Sequence, residues 1–372
     1  MMSLVSSPVP LRAALIALNA VSGLAPRTAF KLSQQEDFWL RLVNTPRAEA
    51  AASLEISEKA VINLLHFPVL DFQKKEEAKA AACGARIVTI ADEDYPGRLR
   101  EISDPPIVLY VKGNLPAIDD VAIAIVGARQ PTAYGHGIAE QFAMRIVEAG
   151  AAVISGMARG IDAAAHRGAL KAGGRTFGAL GCGLDVKYPY QNHDLHANVP
   201  GRGCLISEFP FGTQPLPYHF PRRNRIVSAL SHGVIVVEAN ARSGALITAA
   251  FALEQGREVY AVPGRIDSPL SQGPLDLIRH GAKVTLSVED VFEDIPVLKI
   301  QPELFPVKKV KSPVDLTPDE TKVMGILEKG QCSFDTLAAC STLPVPVLMG
   351  VALSLQLRRL IRELPGKNYE TI

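Results

Sequence analysis

The feature that most restricts the fold begins at Ala85: short, β-branched, apolar runs follow one another, each closed by turn residues and most followed by a helical stretch. The predicted strands are 86–90, 107–111, 121–126, 152–155, 176–180, 204–207, 234–237 and 258–262, and predicted crossover helices cover 137–149, 162–171, 245–254 and 275–280. Most of these strands are apolar on both faces, as strands of a parallel sheet covered by helices on two sides must be. The expected fold class is therefore α/β, with a Rossmann-like, mostly parallel, doubly wound sheet. At 372 residues the chain has room for further domains on either side of it.

Residues 1–83 show helical periodicity, with Leu11, Leu15 and Leu18 on one stripe and further helices predicted over 38–43, 59–65 and 72–83. This region is read as a small helical domain of the SAM or helix-hairpin-helix kind. Its segment Val21-Ser-Gly-Leu-Ala-Pro-Arg27 resembles a helix-hairpin-helix turn, but Ala25 stands where a second glycine is expected, so a structural role is assigned. The sheet occupies 84–295. Residues 296–313, with Pro302, Pro306, Lys308, Lys309 and Lys311, read as a linker, and 314–372 as a winged-helix-like domain. In the latter, Thr317-Pro-Asp-Glu320 is a capping box and Ser333 a second cap. A third helix is predicted over 346–362, followed by a Pro365-Gly366 turn. A DNA-reading helix carries polar side chains in its first turns. This one is apolar there, with Arg358, Arg359 and Arg362 only at its far end, so packing or protein contact is the role assigned.

Net charge is only +1, so a polyanion would have to meet basic residues gathered on one face. The five cysteines contain no CxxC pair, which argues against a disulfide framework or a structural zinc and for a reduced, cytoplasmic setting. Apolar stretches near the N-terminus are interrupted by Arg12 and Asn19, and no run approaches the roughly 20 apolar residues that span a bilayer. Neither export nor membrane attachment is expected.

Four glycine turns directly follow predicted strands or precede helices: Val126-Gly-Ala-Arg129, Ser155-Gly-Met-Ala-Arg-Gly160, Gly181-Cys-Gly183 and Ser243-Gly244. Any one of them could be no more than a tight turn. Together at one sheet edge, where open α/β sheets bind ligands, they indicate a phosphate-bearing partner. None has the GxGxxG spacing or the Walker pattern, so no dinucleotide or ATP and no other cofactor is predicted. Phe220-Pro-Arg-Arg-Asn-Arg225 adds three arginines beside an aromatic ring, a composition suited to phosphates and unpaired bases, though also to a solvated charged turn. Asp162 and His166 lie four residues apart but lack the further ligands of a metal set, and Asp162 is placed as an N-cap. Glu208 and Glu238 are read as isolated acids rather than a catalytic pair, and no nucleophile elbow occurs. No catalytic or metal-binding residue is assigned.

With these motifs in place, the chain resembles the DprA/Smf (DNA-processing protein A) family over about 190 residues. The match runs through Tyr95-Pro96, Asp104-Pro-Pro106, Ile125-Val-Gly-Ala-Arg129, Ser155-Gly-Met-Ala-Arg-Gly-Ile-Asp162, Gly181-Cys-Gly-Leu-Asp185, Tyr188-Pro189, Phe220-Pro-Arg-Arg-Asn-Arg-Ile226, Ser243-Gly244 and Val262-Pro-Gly264. The resemblance implies a dimeric protein that is not an enzyme. It would bind single-stranded DNA, protect incoming strands during natural transformation and help load the RecA recombinase. The contacts it implies are Gly127, Arg129, Ser155, Gly156, Met157, Ala158, Phe220, Arg222, Arg223, Asn224, Arg225, Ser243 and Gly244. Leu275 stands where the family usually has asparagine. The alternative is a nucleotide-processing enzyme of the phosphoribohydrolase type, but the 241–248 segment lacks the paired glycines and glutamate of that loop.

Overall fold

The computed structural model describes residues 9–35, 37–117, 120–295, 316–327, 330–357, 360–364 and 367–371, which fall into two compact units divided at residues 306 and 307. The predicted linker 296–313, Arg358, Arg359 and the Pro365-Gly366 turn lie outside the described residues.

In the first unit, six helices come first: α1 (Leu11–Ala20), α2 (Pro26–Ser33), α3 (Phe38–Asn44), α4 (Arg47–Ser53), α5 (Glu58–Leu65) and α6 (Val69–Ala82). Leu15 and Leu18 are buried as the stripe predicts, while Leu11 faces outward. The helices α2 and α4, 8 and 7 residues long, are not among those the sequence predicts. This helical layer shares one hydrophobic cluster with Ile87, Val108, Tyr110 and Phe211. Polar ties hold it to the rest of the unit: Arg12 donates to Asp92 at 2.8 Å and to the Ile87 carbonyl at 2.7 Å, and the Phe211 N–H donates to Glu76 at 3.0 Å.

Then follow β1 (Arg86–Thr89), α7 (Gly97–Arg100), β2 (Val108–Gly113), β3 (Ala122–Val126), α8 (Ala133–Glu148), β4 (Ala152–Ser155), α9 (Ile161–Lys171), β5 (Thr176–Leu180), α10 (His193–Asn198) and β6 (Cys204–Ser207). The unit continues with α11 (His219–Ala229), β7 (Gly233–Val236), α12 (Gly244–Glu254), β8 (Glu258–Ala261), α13 (Gln272–Arg279), β9 (Lys283–Val284) and α14 (Glu289–Phe292). The eight predicted strands are present within two residues at each end. The two-residue β9 escaped notice because it is too short to show a pattern.

The nine strands are ordered β1-β2-β6-β5-β4-β3-β7-β8-β9, and β2 alone runs against the others. Alternate residues of the central strands feed two cores. Ala122, Ala124, Val126 and Val234 face α11 and α12, whereas Ile123, Ile125, Val153 and Ile235 face α8 and α9. From β3 the chain winds through β4 and β5 to β6, then returns to place β7 on the other side of β3. That reversal leaves a crevice at the carboxyl ends of β3 and β7, the position where open α/β sheets hold ligands.

The second unit contains α15 (Pro318–Leu327), β10 (Cys332–Ser333), α16 (Phe334–Ser341), α17 (Val345–Leu357), β11 (Ile361–Leu364) and β12 (Asn368–Thr371). Three helices and a three-stranded sheet of order β10-β12-β11 make a winged helix around Val323, Leu337, Leu348 and Leu355. The predicted third helix is shorter than expected. Arg362 lies not on it but on β11, paired with Glu370. Both predicted caps form: the Thr317 N–H donates to Glu320 at 2.8 Å, the Glu320 N–H returns to the Thr317 hydroxyl at 3.3 Å, and the Ser333 hydroxyl accepts the Thr336 N–H at 3.2 Å. Losing one such cap costs about 1 kcal/mol, so Thr317→Ala should speed amide exchange in α15 about fivefold by hydrogen-exchange mass spectrometry. Among the described residues, no single helix is long and apolar enough to cross a membrane.

Candidate functional site

The crevice is a cleft of about 650 Å³ at the carboxyl ends of the central strands. Three of the glycine turns build it. The turn after β3 contributes Gly127 and Arg129, the loop after β4 contributes Gly156 and Ala158, and Ser243-Gly244 starts α12. The helix α11 closes the cleft with Phe220, Arg223 and Asn224. Segment 220–225 is thus helical rather than a charged turn. Its arginines point to both sides of the helix, so no amphipathic stripe announced it.

Predicted site residues divide into three groups. Gly127, Arg129, Gly156, Ala158, Phe220, Arg223, Asn224, Ser243 and Gly244 converge on the cleft. The Arg129 guanidinium lies 5.2 Å from the Phe220 ring centre, and the Tyr188 ring lies 5.7 Å from it on a smaller hollow that shares these residues. Ser155 and Met157 do not line the cleft: both are buried, the Ser155 hydroxyl donates to the Ile125 carbonyl at 2.6 Å, and Met157 reaches only the smaller hollow. Arg222 and Arg225 leave the cleft altogether. Both form ion pairs with the fully buried Glu208, at 2.9 and 2.8 Å, and Arg225 also donates to Asp104 at 3.0 Å. A buried carboxylate recruits the nearest guanidiniums, because an unpaired charge there would be costly.

The acid that lines the cleft corrects the sequence reading. Asp162 is not the N-cap of α9; Gly160 holds that position, and Asp162 sits in the first turn. Its carboxylate accepts the Gly156 N–H at 3.1 Å and the Ala158 N–H at 3.3 Å. Glu238 is likewise engaged, accepting the Thr132 N–H at 2.8 Å and the Thr132 hydroxyl at 2.6 Å. The 155–160 turn thus spends two N–H groups on Asp162, and the start of α8 spends one on Glu238. The α12 N-terminus remains turned to the cleft, with Ser243 accepting the Ala245 N–H and Gly244 exposed.

Charge follows the same division. Arg129, Arg159 and Arg242 line the cleft, are exposed, and form no salt bridge among the described residues. Arg223 is buried; desolvation pulls its guanidinium down to about 10, against the pull of Asp162, and its Nη1 donates to the Ala179 carbonyl at 3.1 Å. Burial raises Asp162 above the usual carboxylate range, opposed by Arg223 and the two N–H bonds. Burial also drives His166 down to about 3, so it stays neutral beneath the loop with Nδ1 2.7 Å from the Thr176 hydroxyl oxygen. No group of three or more His, Cys, Asp or Glu side chains among the described residues is placed to hold a metal.

Sequence reasoning missed Arg159 and Arg242 as cleft residues and Tyr188 on the adjoining hollow. Arg159 was visible inside the second glycine turn, and Arg242 immediately precedes the Ser243-Gly244 cap. The arrangement can hold a chain of phosphates on fixed arginines and one helix end, with aromatic faces beside it for bases.

Comparisons with known proteins agree with one another. Residues 86–296 match the family model for DNA recombination-mediator protein A, and 307–367 match that for the DprA winged helix domain. The DNA processing protein DprA of Bacillus subtilis is 44% identical over 219 residues, covering 59% of this chain and 74% of that protein. The X-ray structure of DNA processing protein A from Streptococcus pneumoniae superposes with a TM-score of 0.66 at 33% identity, covering 78% of this chain and 99% of that one. A structure of DNA processing protein A from Helicobacter pylori, concerned with its single-stranded DNA binding mode, has a TM-score of 0.52 at 29% identity over 58% of this chain and 97% of that one.

Proposed function

The chain belongs to the DNA recombination-mediator protein A (DprA/Smf) family, and from that premise we propose that it binds single-stranded DNA in the cleft between β3, β4 and α12. The observation that carries this reading is the convergence of three exposed arginines with no salt bridge among the described residues, Arg129, Arg159 and Arg242, with the α12 N-terminus and the Phe220 ring in one open cleft. Arginine forks take phosphates, and aromatic faces take bases that are not already stacked in a duplex. The strand contacts assigned are Gly127, Arg129, Gly156, Ala158, Phe220, Asn224, Ser243 and Gly244, with Arg223 beneath them. Ser155 and Met157 shape the wall, and Arg222 and Arg225 hold α11 in place.

In this reading the protein acts in the cytoplasm as a homodimer, protects incoming strands in natural transformation and hands them to the RecA recombinase. The winged helix presents Met349 and Leu353 outward on α17 rather than basic residues, which favours protein contact over duplex reading for it. Binding rather than catalysis is assigned to the cleft, since Asp162 and Glu238 are both occupied by backbone N–H groups. A phosphoribohydrolase would need a free acid there.

Fluorescence anisotropy with labelled oligo-dT and the matching duplex tests the proposal. Single strands should bind more tightly, and affinity should fall steeply with salt as counterions are released. Arg129→Ala should weaken binding about tenfold or more and lower the salt slope by about 1. Equal binding to duplex, or an unchanged slope in the variant, would remove the cleft from the account.

A further inference from the structure

Resting on the strand-binding reading of the cleft, we propose that Asp162 and Asn192 are positioning residues that together fix the 155–159 wall of the cleft from opposite sides. Asp162 holds the loop from the first turn of α9 through the Gly156 and Ala158 N–H groups, at 3.1 and 3.3 Å. Asn192, at the end of a short 3₁₀ turn (Tyr190–Asn192), donates through Nδ2 to the Met157 and Ala158 carbonyls, both at 3.0 Å. Two side chains therefore satisfy four backbone groups on three consecutive residues. Both are buried, with 6% and 2% of their surface exposed, so neither bond competes with water.

The loop needs this hold. Met157 is in the left-handed region at φ +57°, a conformation that a non-glycine residue keeps only when its surroundings impose it. Gly156 has no room for a side chain, since a Cβ there would lie 1.6 Å from Arg223 Nη1. The loop thus rests on the buried Arg223, and Asp162 and Asn192 keep it there. Such a wall is set before the strand arrives, and pre-ordering of this kind raises affinity without adding a contact.

Electrostatics alone points the other way, which makes the role testable. A carboxylate bordering the cleft repels a polyanion, so removing its charge should tighten DNA binding if Asp162 acts only as a charge. Acting as a positioning residue, it should weaken binding when its accepting oxygen is removed along with the charge. Both N–H groups are accepted by the single oxygen Oδ2, so a carboxamide keeps both bonds through its carbonyl oxygen, whereas Asp162→Ala removes the acceptor together with the charge; in Asn192→Ala both carbonyls lose their donor.

The test is oligo-dT titration of the full chain by anisotropy, with wild type, Asp162→Ala, Asn192→Ala, the double variant and Arg129→Ala. Each positioning variant should weaken binding about tenfold, with the active fraction and the salt slope unchanged, because no phosphate contact is removed. A merely structural defect would lower the active fraction instead. The double variant should lose less than the product of the singles, since both act on one loop. Equal or tighter binding by Asp162→Ala, unchanged binding by Asn192→Ala, or full additivity would overturn the proposal. Should Asp162→Ala fail to fold, Asn192→Ala decides alone. Loss of binding confined to Arg129→Ala sinks this inference and spares the cleft, whereas an Arg129→Ala variant that binds like wild type sinks the cleft reading itself.

Discussion

Gly160→Ala should lower the stability of the first unit by at least about 3 kcal/mol and impair strand binding in whatever fraction still folds. Gly160 has φ 78° and ψ −125°, a region closed to side chains, and it caps the N-terminus of α9. A Cβ there would lie 2.3 Å from the Ala128 carbonyl oxygen and 2.7 Å from the Arg129 carbonyl carbon. Those are backbone atoms, so no rotamer change relieves the overlap. Relief requires the β3 turn to move away from α9, which breaks the Ile161 N–H to Ala128 carbonyl bond of 3.1 Å and carries Arg129 out of the cleft. The strain and the loss of function therefore share one cause. Urea denaturation and oligo-dT titration of the same preparation check it. A variant matching wild type in both would mean that the two turns do not approach as described.

The same pair of turns shows how far sequence reasoning reaches. Their positions followed from strand runs such as Ala122–Val126 and Ala152–Ser155, whose apolar residues on both faces admit no other placement than the middle of a covered sheet. Once β5, β4, β3 and β7 are neighbours, their carboxyl ends lie together, and Gly127, Gly156 and Ser243 must share one edge. What the sequence concealed was direction. Arg222, Arg223 and Arg225 look alike in a row, yet one lies beneath the cleft and two turn to Glu208. Their partners decide this, and Asp104 stands 121 residues from Arg225 along the chain. Asp162 was misplaced for a related reason: a carboxylate near a helix start fits an N-cap, but Gly160 occupied that position and left the acid to face the preceding loop. Asn192 gave no local signal at all, because its two bonds reach back more than 30 residues.

The Glu208 cluster supplies the second large effect. Glu208→Ala should cost about 3–5 kcal/mol, since removing one partner of a buried ion pair strands the other charge. Here two guanidiniums are stranded: Arg225, with 2% of its side chain exposed, and Arg222, with 29%. Arg225 keeps Asp104 at 3.0 Å, and Arg222 keeps its place 5.0 Å from the centre of the Phe209 ring, so part of the loss is offset. Replacing Arg225 by Met in the Glu208→Ala background should then recover stability, because an apolar side chain of similar length tolerates the site better than a lone charge. Strand affinity per folded molecule should change little in either variant, as the cluster lies on the side of α11 away from the cleft. Denaturation midpoints and oligo-dT titrations, read together, separate the alternatives. Lost affinity at unchanged stability would return Arg222 and Arg225 to the binding surface. Lost stability at unchanged affinity would fix them as the anchor that holds α11, and with it Phe220 and Arg223, over the crevice.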